Sequence, residues 1–252
     1  MLSCPSCQTD CGPAVRNVCS NCGWQFNHTA HGGSGPPPLV RAATRPKIQV
    51  ELTLAIAVDR TGSSDQFKAG IPLTAETILN VVTAKTAKVT CLVQSHGDLD
   101  EGQEMVLVTD CGTPDLALAD IKSITYGGGG DPAEHHLDAI ENLLNTVPLE
   151  SDPSRARGAI LAFMTADTKP TRSGVSAAQL GKEIQRRGVL LYLVCESTPQ
   201  LKELCDAAGG LMFEVSNTPD AEDLKRIGTA LGASIVATTA AGRTKPMLPF
   251  TQ

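Results

Sequence analysis

From Lys47 onward, apolar runs of strand length alternate with stretches of helical periodicity, and this alternation limits the fold of the 252-residue chain more than any other feature. IQVELTLAIAV (48–58) begins with period-two alternation and then becomes continuously apolar, as a central strand covered on both faces does. VTCLVQS (89–95), MVLVTDC (105–111), GAILAFMT (158–165), VLLYLVC (189–195) and LMFEV (211–215) read as further strands. Helices are expected over 71–88, with Ile71, Ile78, Val81 and Val82 on one side, and over 131–147, where an acid and a proline open a stripe of Leu137, Ile140, Leu143 and Leu144. Three more are expected around 177–187, 199–208 and 221–236. Such an order predicts an α/β fold, with a mostly parallel central sheet and helices on both faces. Sheets of this kind bind ligands outside the carboxyl ends of their strands. Polar residues directly after apolar strands are therefore the ones that matter.

Composition narrows the function. Aromatic residues make up 3% against 41% for all apolar residues, so the core rests on Ala, Val, Leu and Ile, and base-stacking platforms are disfavoured. A net charge of -6 repels a phosphate backbone, which argues against nucleic-acid binding. No apolar run approaches the ~18 residues of a membrane helix. MLSCPSCQTDCG, at the N-terminus, lacks the basic start and apolar stretch of an export signal. The expectation is a soluble, cytoplasmic protein with no membrane partner.

Five of the nine cysteines fall within the first 22 residues and the other four are scattered; of these Cys91, Cys111 and Cys195 lie in apolar runs and read as small core residues. An odd total without an export signal argues against a disulfide framework. Cys4-Pro-Ser-Cys7 and Cys19-Ser-Asn-Cys22-Gly23 form two C-x2-C pairs, each a tight turn that points two thiolates at one ion. Together they resemble a zinc ribbon (1–30) with a closed, structural Zn2+ site, because so short a unit has too small a core to fold without metal. HGGSGPPPLVRAATRP (31–46) reads as a flexible Gly/Pro linker. The remainder divides into an α/β domain (47–238) and an aperiodic tail (239–252).

Directly after the first central run stand Asp59-Arg60-Thr61-Gly62-Ser63-Ser64, where Asp59, Thr61 and Ser63 alternate and can aim a carboxylate and two hydroxyls at one point. Oxygen ligands of this sort suit a hard cation such as Mg2+. Gly127–Gly130 lead into Asp131-Pro132-Ala133-Glu134, and Met164-Thr165-Ala166-Asp167 end another apolar run. Taken singly, each motif reads as a helix cap or a glycine turn before it reads as a metal site. In this order, at three strand ends, they point to one cation site.

With these residues in place, positions 47–236 resemble the von Willebrand factor A (vWA) family and its metal-ion-dependent adhesion site (MIDAS). Asp59, Thr61 and Ser63 match its D-x-S-x-S motif with Thr for the first Ser, and Asp167 matches its last aspartate. Where most members carry Thr after a glycine pair, this chain has Asp131 with Glu134 three residues on, an arrangement similar to the integrin β-subunit version, and either acid is a candidate ligand. The resemblance implies Mg2+ or Mn2+ bound by Asp59, Thr61, Ser63, Asp131 or Glu134, and Asp167. It also implies a non-enzymatic scaffold that binds another protein through an acidic residue or through the surrounding loops. So many carboxylates around one ion predict either a tightly held metal or a second cation nearby.

Two alternatives remain. Asp59-Arg60-Thr61-Gly62-Ser63 also resembles the phosphorylation loop of haloacid-dehalogenase-like phosphotransferases, with Asp59 as nucleophile and Lys169 nearby, although no acidic pair follows Asp167. The ribbon could instead serve a nucleic-acid-associated adaptor, but its single Arg and single Asp give it no basic face. The glycine run lacks the Lys-Ser/Thr ending of a phosphate loop. His135 and His136, adjacent on the expected helix, read as solvated surface, and His96 falls in the polar loop HGDLDEG.

Overall fold

The computed structural model describes residues 47–131, 133–146, 149, 155–215 and 220–248. The expected ribbon, with Cys4, Cys7, Cys19 and Cys22, and the linker of 31–46 lie outside the described residues. From Lys47 the chain runs β1 (Glu51–Asp59), α1 (Gly70–Lys85), β2 (Val89–His96), β3 (Val106–Gly112), α2 (Pro114–Ser123), β4 (Ala133–Glu134), α3 (His136–Thr146) and β5 (Ala156–Phe163). It continues with β6 (Asp167–Thr168), α4 (Ala177–Arg186), β7 (Leu190–Cys195), α5 (Pro199–Ala208), β8 (Leu211–Glu214) and α6 (Ala221–Ala240). Six strands form one sheet in the order β3-β2-β1-β5-β7-β8, parallel except for β3 at the edge. β4 and β6 make a separate two-residue parallel pair.

Period-two alternation sorts the core into two layers. On β1, Leu52, Leu54, Ile56 and Val58 face α1, α2 and α6, while Ala55 and Ala57 face α3, α4 and α5. β5 divides likewise, with Leu161 and Phe163 on the first side and Ile160 and Ala162 on the second. Full burial of each large aliphatic side chain is worth roughly 2 kcal/mol. β1, paired on both edges and covered on both faces, is therefore firmly held, and its last residue is Asp59.

Several expectations need correction. The helix expected over 131–147 begins only at His136, because Ala133 and Glu134 are drawn into pairing with Asp167 and Thr168. The unforeseen α2 is capped by Thr113, whose Oγ1 accepts from Leu116 N at 3.3 Å. It buries only Ala117 and Ile121, one turn apart, so no apolar stripe betrays it. Cys111 is exposed rather than buried, at an edge-strand irregularity with φ of 51°. α6 runs on to Ala240, and the segment beyond it folds back: Met247 N donates to Thr238 Oγ1 at 2.9 Å, and Ser234 Oγ donates to the Met247 carbonyl. No helix among the described residues is long and apolar enough to cross a membrane.

Candidate metal centre

Asp59 ends β1 fully buried. Its Oδ1 accepts from Thr61 N at 2.9 Å and from Thr61 Oγ1 at 2.7 Å, and its Oδ2 accepts from Thr165 Oγ1 at 2.9 Å. Both threonine hydroxyls thus direct their single proton at this carboxylate. Ser64 Oγ, 2.7 Å from Thr165 Oγ1, must then be the donor to it, and Ser63 Oγ, 2.9 Å from Thr61 Oγ1 and 3.2 Å from Thr165 Oγ1, gives its single proton to one of the two. The hydroxyl protons are thus used up within the cluster. Oxygen lone pairs are what this cluster offers elsewhere, which is the chemistry a hard cation takes.

A second wall comes from the glycine run, which is ordered by pairing. Gly62 N donates to the Gly128 carbonyl at 2.7 Å, and Gly127 N donates to the Arg60 carbonyl at 2.9 Å. At Gly129, with φ of +83°, a Cβ would stand 2.9 Å from Glu134 Oε1 and 3.2 Å from Thr61 Cβ, so only glycine lets Glu134 approach Thr61. Glu134 is 2% exposed, and its Oε2 has no hydrogen-bond partner. Burial, reinforced by the charges of Asp59 and Asp98, pushes its carboxyl up to about 7. Burial also disfavours charge on Asp59, but His136, His96 and the Thr61 donors outweigh it and hold that carboxyl below its ordinary range.

The other expected ligands sit differently. Asp131 is exposed, and its Oδ2 lies 3.0 Å from Lys169 Nζ. Asp167 is exposed two residues beyond Thr165, and its Oδ1 accepts from Thr168 N at 2.8 Å. Asp59, Thr61, Ser63 and Glu134 are thus gathered with Thr165 and Ser64, Asp167 stays on the loop of Thr165, and Asp131 turns to Lys169.

That lysine anchors a second acidic cluster. Asp98, Asp100 and His135 present ligand atoms within 4.8 Å of one another, a set able to hold a metal ion. Lys169 Nζ already lies against it, 3.1 Å from both oxygens of buried Asp98 and 2.9 Å from Asp100 Oδ2. Arg172 adds a contact to Asp100 at 3.0 Å. Lys169, followed by Arg172, holds Asp100 down to about 2. Burial works against charge on Lys169, but its three carboxylate partners outweigh it and raise the ammonium above its ordinary range.

All three of these histidines are buried, which overturns the solvated surface expected for His135 and His136 and the loop position expected for His96. They do face different ways. His136 Nδ1 meets His96 Nε2 at 2.9 Å, whereas His135 Nδ1 lies 3.1 Å from Asp98 Oδ1. Burial, with His136 beside it, pushes His96 down to about 3, and burial lowers His136 as well. Gln94 continues the ladder, donating to the Ala139 carbonyl at 3.0 Å. Sequence reasoning missed Thr165, Ser64, the histidine pair and the Asp98–Lys169 contact. Thr165 alone left a readable sign, a hydroxyl two residues before the strand-end aspartate.

No protein-family model matches the sequence, and no curated protein matches it. Solved structures do share its fold. The SpRpn10 VWA domain is 14% identical with a TM-score of 0.57, over 71% of this chain and 97% of that domain. Proximal thread matrix protein 1 from the mussel byssus, described with a zinc-occupied MIDAS motif, is 12% identical with a TM-score of 0.52. That match covers 74% of this chain and 47% of the byssus protein, so this chain spans about half of its length. The described domain therefore has the vWA fold, a mostly parallel sheet between two helical layers with its acidic loops at the carboxyl edge.

Proposed function

We propose that this chain is a non-enzymatic scaffold module that binds another protein through a divalent cation at a MIDAS-type site. Asp59, Thr61, Ser63 and Glu134 would hold the ion, Thr165 would fix Asp59 from behind, and Asp167 would complete the rim. The observation that carries this reading is the buried, unpartnered Oε2 of Glu134 beside the hydroxyl-lined carboxylate of Asp59. Two acids this close, one of them pushed towards neutrality, lack a positive charge between them. An all-oxygen donor set favours Mg2+ or Mn2+ over softer ions. The neighbour with a zinc-filled motif makes Zn2+ the control. Asp131 would remain a rim acid, and its 3.0 Å pair with Lys169 would supply part of the counter-charge that so acidic a rim needs.

The phosphotransferase reading fares worse. That family needs an acidic pair at a later strand end to complete its site, and none follows Asp167. The ribbon of residues 1–30, with structural Zn2+ on Cys4, Cys7, Cys19 and Cys22, remains part of the proposal as a brace or second docking unit. An exposed free thiol at Cys111 suits a reducing, cytoplasmic setting. Calorimetric titration of the full chain with MgCl2 and MnCl2 is the test. One ion per chain is expected, absent in Asp59→Asn; a wild-type chain that binds neither ion overturns the reading.

A further inference from the structure

The edge that carries the acidic loops also opens a small cavity of ≈ 30 Å3 between the α1 and α6 side of the sheet and the ends of β5, β7 and β8. Phe67, Ile71, Phe163, Val194, Val215 and Leu224 make it apolar. Glu196 is the single charged residue among those lining it. Thr165 is the wall shared with the metal centre: it lines the cavity, and its hydroxyl is bonded to Asp59 and Ser64.

We infer that this cavity is the second half of the partner-binding surface, and that it receives a large aliphatic or aromatic side chain from a protein segment whose carboxylate takes the cation. The inference rests on the metal reading above and adds the partner's chemistry to it. A carboxylate alone selects little, because every protein surface carries many. An extended segment advances about 3.4 Å per residue and sends alternate side chains to the same side, so an acid and an apolar residue within two positions of each other can straddle a wall one residue thick. Glu196 at the rim is complementary to a lysine or arginine flanking that pair. The occupant is thus an acidic–apolar–basic stretch of another protein. Burying a Leu or Phe side chain is worth about 10-fold or more in affinity.

Selection of a random peptide phage library on the immobilised full chain in MgCl2, with elution by chelator, tests this directly. The expected winners carry Asp or Glu with Leu, Ile, Met or Phe within two positions and a Lys or Arg close by. The best peptide is then titrated against wild type, Leu224→Trp, which fills the cavity, and Glu196→Lys, which inverts its charge. Leu224→Trp should weaken peptide binding about 10-fold or more, Glu196→Lys should remove the basic preference, and both should keep wild-type affinity for Mg2+. Should circular dichroism show Leu224→Trp unfolded, Val215→Phe takes its place. Chelator-eluted peptides without an apolar neighbour, or binding that survives both changes, overturn the inference while leaving the metal reading intact. Chelator-eluted peptides failing to appear although Mg2+ binds also overturns it, whereas a wild type that binds no Mg2+ sinks the metal reading itself. Concentration-dependent self-association in light scattering, abolished by Leu224→Trp, would assign the cavity to a second copy of the chain and overturn the inference as well.

Discussion

Two acidic clusters share one edge of the sheet, and they are neutralised in opposite ways. Asp98, Asp100 and Asp131 surround the ammonium of Lys169, with Arg172 behind, so the chain supplies its own counter-charge. Asp59 and Glu134 meet hydroxyls, backbone amides and imidazoles, and no lysine or arginine forms an ion pair with either among the described residues. Counting carboxylates therefore does not locate an ion site. What distinguishes the two is whether a tethered cation already fills the space.

The largest effect that can break this contrast is loss of the buried charge. Asp59→Asn should weaken Mg2+ binding in calorimetry by more than about 100-fold, beyond what changes outside the direct ligands cause. An unchanged affinity would move the ion elsewhere. Next comes Lys169→Ala, which strands buried Asp98 and should lower the Tm by about 5 °C or more. Because it also vacates the second cluster, added Ca2+ or Mn2+ should restore part of that loss and raise the stoichiometry from one ion to two. If Lys169→Ala still binds one, the clusters are not alike in the sense argued.

Glu134 gives a pH test. Its folded carboxyl titrates at about 7 against an ordinary 4.5, so between those values the folded chain holds a proton that the unfolded chain releases. Metal-free protein must therefore lose stability as pH rises through this window. His96, pushed down to about 3, acts in the opposite sense, losing stability as pH falls below its ordinary 6.5, but it is common to both proteins compared. In chelator, Glu134→Gln should melt several degrees above wild type at pH 8 and level with it at pH 4. With saturating Mg2+ at pH 8 the wild type should recover the difference. Equal melting at both pH values in chelator would remove Glu134 from the site.

Smaller still, Thr165→Val removes one donor to Asp59 and should cost about 10-fold in Mg2+ affinity at an unchanged fold, read by calorimetry. Arg172→Ala, which breaks an exposed pair with Asp100, should leave both Tm and Mg2+ binding unchanged within error.

The architecture was readable because burial writes itself in periodicity: the Leu52–Val58 run and the stripe on α3 each admit one placement. Asp59 was readable too, as a charge set directly behind a run that must be central. What escaped was polar and buried. Gln94 and His96 occupy alternate positions of β2 on the side of α3, where a sequence reader expects apolar residues, and their partners Ala139 and His136 lie 45 and 40 positions away. Lys169 is one cation among many until folding places it against Asp98, 71 positions earlier. Glu134 could not be told from Asp131 because the choice depends on which acid the pairing of β4 with β6 turns inward.

The hydroxyl of Thr165 reaches a carboxylate made 106 positions earlier. As the chain leaves the ribosome, Asp59 emerges long before its counterpart, so the centre cannot exist until β5 has been inserted beside β1. An ion captured there would act as a late clasp, slowing escape from the finished state more than it hastens arrival.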